Sequence, residues 1–237
     1  MICNFCGAPL FIEKLPYAAS LISSAYQPGE RFFEEQVEEK NITTFEMNLK
    51  TNNGWRCSIC RNSEFSFYRL RSFGIYSKVL KKLIIKFKYN KIYLLAPVLC
   101  SFLKEAYLAY YREEKIDFIE TVPDFTSGKT VSGNSLYNTE NHMQLLARLF
   151  SKEVKLPYTD NIIKIRKTLR QQNLGMYERK VNLEGAFKAG NLFNVLHKNI
   201  LLIDDVWTTG NTLNEISKTL KRCGADKIYL LTIARAI

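Results

Sequence analysis

Near its C-terminus the chain places two adjacent carboxylates directly after an apolar strand. In "LLIDDVWTTGNTL", Asp204 and Asp205 follow Ile200–Ile203 and precede a turn of Thr, Gly and Asn. A buried strand that ends in charge needs a partner for that charge. The helix predicted from about Asn211 to Cys223 starts in this turn, so its unpaired N–H groups and its dipole favour an anion there. The stretch therefore predicts a ligand site.

The residue types of the turn indicate what the ligand carries. Thr hydroxyls bind phosphate oxygens, and glycine lets the backbone approach closely. Two acids instead suit vicinal hydroxyls, either directly or through a divalent cation. The alternative is that the acids only cap the helix and that Thr-Gly only turns the chain. We predict a ribose 5-phosphate held by Asp204, Asp205, Thr208, Thr209, Gly210, Asn211 and Thr212.

Two other phosphate-binding motifs are excluded by the same stretch. It lacks the Gly-Lys-Ser/Thr ending of a P-loop and the G-x-G-x-x-G of a dinucleotide site, so ATPase and dinucleotide functions are not favoured.

Four cysteines form a second constellation. "CNFC" and "CSIC" are two C-x-x-C knuckles, and each can turn two thiolates toward one tetrahedral ion. The gap of 50 residues between them is longer than the usual spacing of about 15 to 20. In a chain without a secretory signal, structural zinc is favoured over disulfides or redox chemistry. The predicted zinc ligands are Cys3, Cys6, Cys57 and Cys60.

The composition of the gap suggests an insertion. An acidic helix at residues 30–39 and polar loops indicate that about 10–55 elaborates the knuckle, with a docking surface for a partner as the alternative. We predict a zinc-finger module over 1–64 and a larger domain over 65–237. Cys100 and Cys223 lie in apolar helical patterns and are predicted to be core residues.

The larger domain alternates strands and helices. Strand patterns occur at 65–76, 116–123, 159–167, 198–205 and 226–234, and helical patterns occur at 77–91, 94–112 and 139–152. Such alternation predicts an α/β fold, a parallel sheet flanked by helices. In such sheets ligands bind at the carboxyl ends of the strands, which is where Asp204 and Asp205 fall.

The helix at 77–91 has an apolar face and a lysine face. Between residues 69 and 91 there are eight basic residues and no acid, which favours contact with a phosphate backbone; the alternative is a solvated face. Interleaved aromatic residues could stack on unpaired bases, although most are expected in the core. The predicted nucleic-acid residues are Arg69, Arg71, Lys78, Lys81, Lys82, Lys86, Lys88 and Lys91.

The totals agree with a basic globular protein. The 237 residues carry a net charge of +11, which favours polyanionic partners. No apolar run approaches the roughly 18 residues of a membrane span, and the N-terminus lacks a signal-peptide pattern. We expect a cytoplasmic protein.

The chain resembles the type I phosphoribosyltransferases, because "LLIDDVWTTGNTL" is similar to their phosphoribosyl-pyrophosphate (PRPP) loop. It resembles more narrowly the ComF/ComFC competence proteins, which join a short zinc knuckle to such a domain. The segments "LKKLIIKFKYNK", "VPD" and "RKTLRQQNLGMYERKVNLEGAF" support this narrower resemblance. It covers residues 1–8 and 57–237.

The resemblance implies roles for further residues. Asp204 and Asp205 would hold the ribose diol and Mg²⁺ and would be the catalytic residues of an active enzyme. The pyrophosphate loop would contain Val122, Pro123, Asp124 and Lys129, and the polar signature residues would be Gln172, Arg179 and Asn182. The chain has "SLYN" where the family has Arg-Gly-Phe-Asn, and it has Thr208 where some transferases have an aspartate base. Both departures bear on turnover more than on binding.

Two functions follow from the resemblance. The first is a PRPP- and zinc-binding protein that binds single-stranded DNA during natural transformation, in contact with an uptake helicase or an inner-membrane uptake channel. Its location would be cytoplasmic, at the inner face of the inner membrane in the second case. The alternative is an active phosphoribosyltransferase that uses Mg²⁺-PRPP with an unknown acceptor.

Overall fold

The computed structural model describes residues 3, 6, 60, 64–123, 141–168, 182–190 and 195–236. The chain divides into two compact units, Met1–Asn62 and Ser63–Ile237. The predicted insertion at about 10–55 lies outside the described residues. Within the described residues, no helix is both long enough and apolar enough to cross a membrane.

The second unit is built on a parallel four-stranded sheet. Its strands are β1 (Arg69–Ile75), β2 (Phe118–Thr121), β5 (Ile200–Trp207) and β6 (Ile228–Arg235), in the order β1-β6-β5-β2. All three neighbouring pairs are parallel. The predicted parallel α/β sheet is therefore confirmed.

Three helices cover one face of this sheet. They are α1 (Lys78–Lys88), α2 (Ala96–Tyr110), which a short 3₁₀ turn (Tyr93–Leu95) precedes, and α3 (His142–Val154). Their apolar sides join Leu201 and Ile203 in one continuous core. α3 begins with a capping box, in which Asn141 and Gln144 satisfy each other's backbone N–H groups.

The β5–α4–β6 crossover provides the opposite face. The apolar residues of α4 (Asn211–Arg222) do not belong to the core that the first three helices form. Leu202 and Leu230, whose side chains alternate with those facing that core, are also fully buried. Gly224 follows α4 with φ +90°, as expected of a C′ residue.

Two sequence predictions are corrected by the sheet. The strand predicted within 159–167 is β3 (Ile162–Lys164), which pairs antiparallel with β4 (Phe187–Ala189) in a separate two-stranded sheet. It does not join the parallel sheet, because the edge of β2 is bridged instead by Tyr158. The strand predicted to end at Asp205 is β5, which continues to Trp207, since β6 pairs with it over this length.

The two cysteines outside the knuckles differ. Cys100 is buried in the core, as predicted. Cys223 forms the C-cap of α4 and is only partly buried, so the prediction of a core position is wrong for it. A C-cap residue lies where the helix leaves the core, which explains its exposure.

Candidate functional site

The carboxyl edge of the sheet is uneven at the two acids. β2 stops at Thr121, opposite Ile203, whereas β5 extends four residues further. Asp204 and Asp205 therefore lie where β5 has a neighbour on one side only among the described strands. Because side chains alternate along a strand, the two carboxylates point to opposite faces.

Asp204 faces a pocket formed by the following turn. Asp204 and residues 206–213 line this pocket, so the structure brings together all seven residues of the predicted phosphate site except Asp205. Among the described residues, no basic side chain forms an ion pair with Asp204. Its Oδ1 accepts a hydrogen bond from the backbone N–H of Asp205, at 2.9 Å.

The helix that starts in this pocket has an uncapped N-terminus. Its N-cap residue is Gly210, with φ +76°, which has no side chain to accept a hydrogen bond from the first turn. No acid occupies that turn either. No side chain caps this terminus, so the start of α4 suits an anion, which the helix dipole also favours.

The Trp207 ring packs against the turn at Gly210. A Cβ at position 210 would lie 1.9 Å from the Trp207 ring, so only glycine fits against it. Phe65 and Phe67 contact the same ring edge-on, with centroids 5.8 and 5.7 Å away. The packed Trp207 ring therefore lies directly beneath Gly210, at the start of the helix.

Two polar atoms of the pocket are buried without a partner. Thr209 Oγ1 and Asn211 Nδ2 are shielded from solvent, and neither makes a hydrogen bond to any of the residues that the structure describes. A buried polar group without a partner costs about 1 to 3 kcal/mol. Such groups at an uncapped helix terminus fit a phosphate ligand, whose oxygens would supply the missing partners.

Asp205 faces the other side and is engaged by two side chains. Its Oδ2 lies 2.6 Å from Lys88 Nζ at the end of α1 and 3.5 Å from His142 Nε2 at the start of α3. The buried Asp205 therefore ties both helices to the carboxyl edge of the sheet. The sequence prediction placed Lys88 on the nucleic-acid face and did not find His142.

These contacts separate the acidities of the two carboxyls. Burial raises the pKa of Asp204 well above its ordinary value, and the charge of Asp205 adds to this effect. Burial would also raise the pKa of Asp205, but the contacts with His142 and Lys88 outweigh it and lower the pKa. Asp205 and Asp204 likewise raise the pKa of Lys88 against its burial. Asp205 is thus a carboxylate compensated by Lys88, and Asp204 is not compensated.

A third carboxyl, Glu120, lies near the end of β2. It is fully buried, and one oxygen accepts hydrogen bonds from Thr159 Oγ1 and from Asn161 N at 2.9 Å. Its other oxygen has no partner among the described residues. Burial raises the pKa of Glu120 to about 7. Sequence analysis did not single out Glu120, because it lies within an apolar strand pattern.

The other predicted site residues are only partly described. Val122 and Pro123 follow β2 and are half-buried, and Asn182 is half-buried ahead of β4. The remaining pyrophosphate-loop and signature residues, Asp124, Lys129, Gln172 and Arg179, lie outside the described residues.

The predicted nucleic-acid residues do not all share one surface. Lys78, Lys81, Lys82, Lys86 and Lys91 are exposed on α1 and the turn after it. Arg69 instead pairs with Glu114, and its guanidinium lies 5.2 Å from the Tyr111 ring centroid. Arg71 is buried and donates to the Leu70 carbonyl. Neither arginine faces solvent in the way the lysines do.

In the first unit three cysteines lie together. Cys3, Cys6 and Cys60 are buried, and their sulfurs all lie within 4.8 Å of one another. The sulfur ligands of one tetrahedral zinc ion are about 3.8 Å apart, so this set fits zinc. The fourth predicted ligand, Cys57, lies outside the described residues.

Comparison with known proteins agrees with this fold. The model of the phosphoribosyl transferase domain matches residues 142–236. The chain is 30% identical over 182 residues to competence protein F of Haemophilus influenzae, covering 76% of this chain and 78% of the relative. Competence protein ComFC of Streptococcus pneumoniae is 26% identical over 85% of this chain and 83% of its own length. DNA utilization protein YhgH of Salmonella typhi is 26% identical over 76% and 78%, respectively. The protein is therefore a member of the competence protein F (ComF/ComFC) family.

Proposed function

We propose that this protein binds PRPP and single-stranded DNA, holds a structural zinc ion, and acts in DNA uptake during natural transformation. One observation carries the proposal. An uncapped helix terminus, two unpartnered polar atoms and an uncompensated carboxylate, Asp204, line one pocket. The names of the relatives support the process, and an uptake helicase or inner-membrane channel is the expected partner.

The pocket suits the sugar-phosphate end of PRPP. The 5-phosphate would accept hydrogen bonds from the first amides of α4 and from Thr209 and Asn211. Asp204 would accept hydrogen bonds from the ribose hydroxyls, and its oxygens also suit Mg²⁺, which would neutralise charge on the pyrophosphate. Asp205 would act as a positioning residue, because Lys88 Nζ already lies 2.6 Å from its Oδ2 and His142 Nε2 lies 3.5 Å from it.

Calorimetry tests this assignment. The full chain, loaded with zinc, is titrated with PRPP, with ribose 5-phosphate and with inorganic phosphate, each with Mg²⁺. PRPP and ribose 5-phosphate should bind and compete for one site, and phosphate alone should bind more weakly. Folded protein that gives no heat with PRPP would refute the assignment.

DNA binding is supported by the exposed lysines of α1. Single-stranded DNA should bind with an affinity that falls with salt, because each neutralised phosphate releases counterions. Replacing Lys81 and Lys82 by Gln should reduce the log–log slope by about 0.7 per lysine. Lys152→Gln, at an exposed position of α3, is the matched control and should leave the slope unchanged. An affinity that does not respond to salt would exclude this surface.

Zinc binding is supported by the cluster of buried thiols. Purified protein should contain about one zinc per chain by atomic absorption. Cys6→Ser should lose the metal and lower the stability of the first unit, whereas Cys100→Ser should keep the zinc. Equal zinc content in both variants would contradict the proposed ligand set.

The alternative is that the protein transfers the phosphoribosyl group. The match of the phosphoribosyl transferase domain to residues 142–236 favours it. In that case PRPP and a suitable acceptor should release pyrophosphate, and Asp204→Asn should abolish the release. PRPP binding without release, across candidate bases and single-stranded DNA, favours a binding protein instead.

A further inference from the structure

The segment after α1 exposes two tyrosine rings and one leucine side chain to solvent. Tyr89 is 61% exposed, Tyr93 is 42% exposed and Leu94 is 90% exposed. We refer to these three residues as the aromatic platform. Large apolar side chains that are exposed this close together in the sequence indicate a surface that binds a partner.

The platform is held by hydrogen bonds and ring contacts. The N–H of Tyr89 donates to Ile85 O at 2.9 Å, and the N–H of Ile92 donates to Lys86 O at 3.2 Å. The Tyr93 ring meets the buried Phe87 ring edge-on, at 6.1 Å between centroids. The backbone then enters the 3₁₀ turn that leads into α2. An aromatic surface fixed in this way loses little entropy when it binds a partner.

Two series of contacts connect the tyrosines of the platform to Asp205. Tyr89 lies next to Lys88, whose Nζ is 5.9 Å from its ring centroid and 2.6 Å from Asp205 Oδ2. Tyr93 contacts Phe87, and the Phe87 centroid is 5.8 Å from that of His142, which in turn contacts Asp205. Both exposed rings therefore lie near the carboxyl edge of the sheet, on the side that Asp205 faces.

The charge around the platform indicates its occupant. Lys86 is exposed three residues before Tyr89, and Lys91 is exposed between Tyr89 and Tyr93. No acidic residue occurs from residue 69 to residue 104. Basic side chains that alternate with exposed aromatic rings suit a strand with regular negative charge and accessible bases. Duplex DNA does not fit, because its bases are paired and stacked within the helix.

We propose that Tyr89 and Tyr93 stack on unpaired bases of single-stranded DNA, while Lys86 and Lys91 contact the flanking phosphates. This inference rests on the DNA binding of the proposed function and assigns the base contacts within it. The strand would then pass along the carboxyl edge of the sheet, on the side that Asp205 faces.

An abasic oligonucleotide separates stacking from charge. The full chain is titrated with fluorescein-labelled oligothymidylate and with an abasic strand that has the same length and the same phosphates, by fluorescence anisotropy. Wild-type protein should bind oligothymidylate more tightly. Tyr89→Ala and Tyr93→Ala should each weaken that binding about 10-fold and leave abasic binding unchanged.

Two controls address packing and surface composition. Tyr89→Phe and Tyr93→Phe should keep wild-type affinity, because stacking needs the ring and not the hydroxyl. Tyr110→Ala removes a tyrosine of similar exposure, 40%, from the end of α2 and should change neither affinity. Thermal unfolding of each variant shows whether it is folded.

The outcomes distinguish this inference from the proposed function. If the wild-type protein binds neither oligonucleotide, both the stacking inference and the proposed DNA binding are wrong. Equal affinity for the two strands, or alanine variants that bind oligothymidylate like wild type, would overturn the stacking inference and leave DNA binding intact. If the alanine variants instead convert a dimer into a monomer without a change in DNA affinity, the platform is a contact between two copies of the chain and the inference is wrong.

Discussion

The two edges of the parallel sheet treat their polar groups differently. At the amino edge, Glu114 pairs with Arg69 and accepts a hydrogen bond from Tyr229, and Asp117 accepts one from Asn199 N at 2.8 Å. At the carboxyl edge, Asp204 has no cation and Thr209 Oγ1 has no partner among the described residues. Arg69 Nε is the exception at the amino edge.

This difference separates groups that hold the fold from groups that await a ligand. A charge that is paired within the protein has already contributed its stabilisation. A buried group without a partner lowers stability until a ligand satisfies it. The contrast therefore predicts that substitution of a paired charge at the amino edge affects stability, whereas substitution of an unpartnered polar group at the carboxyl edge affects binding.

The largest effect is expected for Gly210→Ala. The new Cβ would overlap the Trp207 ring in a backbone conformation of positive φ, so the free energy of unfolding should fall by about 3 kcal/mol. PRPP affinity should be lost with it. Gly185→Ala is the control, because its φ is also positive but its Cβ would meet nothing within 4 Å. Urea unfolding should show a larger loss of unfolding free energy for Gly210→Ala than for Gly185→Ala. Equal losses would show that overlap with the Trp207 ring is not the cause.

Asp204→Asn and Glu114→Gln test the contrast directly. Asp204→Asn should weaken PRPP binding about 100-fold, because it removes the charge from two hydrogen bonds to the sugar, and should not lower stability. Glu114→Gln should lower the free energy of unfolding by about 1 to 2 kcal/mol and leave PRPP binding unchanged. Calorimetry and urea unfolding measure both. The contrast fails if the two variants exchange these effects.

Glu120→Gln should have an effect that depends on pH. Burial raises the pKa of Glu120 from 4.5 to about 7 in the folded state. Between these values the folded state binds a proton that the unfolded state has released, so stability falls as pH rises through this range. The variant should match wild type near pH 4.5 and be more stable by about 3 kcal/mol at pH 8. A difference in unfolding free energy that is constant from pH 4.5 to 8 would contradict this cause.

The smallest effect is expected for Tyr229→Phe at the amino edge. The ring keeps its contacts with Tyr68 and Tyr111, and only the hydrogen bond to Glu114 is lost. The free energy of unfolding should fall by about 1 kcal/mol, measured in urea. PRPP affinity should not change, and a change would show that the two edges are coupled.

The phosphate turn was accessible from sequence because its parts are contiguous. Residues 204–212 combine a strand end, two acids and a helix start, and local rules of capping and strand alternation place them. The alternation of strands and helices likewise predicted the parallel sheet. The antiparallel β3–β4 pair was missed, because three-residue strands carry too little periodicity to show how they pair.

The partners of Asp205 could not be found by local rules. Lys88 is 117 residues away in the sequence. His142 lies on α3, and the sequence predicts this helix but not how it is oriented against the sheet. A partial signal existed for Lys88. On a helical wheel it lies about 40° from the buried Ile84, at the border of the apolar face, so it was the lysine of α1 best placed to turn inward.

The hydrogen bond from the Asp205 amide to Asp204 Oδ1 occupies a position that a longer β2 would otherwise fill. A sugar hydroxyl that recruits the same oxygen would compete with this amide. Its proton resonance and its rate of exchange with deuterium should therefore change on ligand binding, while the amides of Ile200–Ile203, within the sheet, should stay protected. The Asp205 amide can thus report occupancy of the pocket by nuclear magnetic resonance, without any label on the ligand.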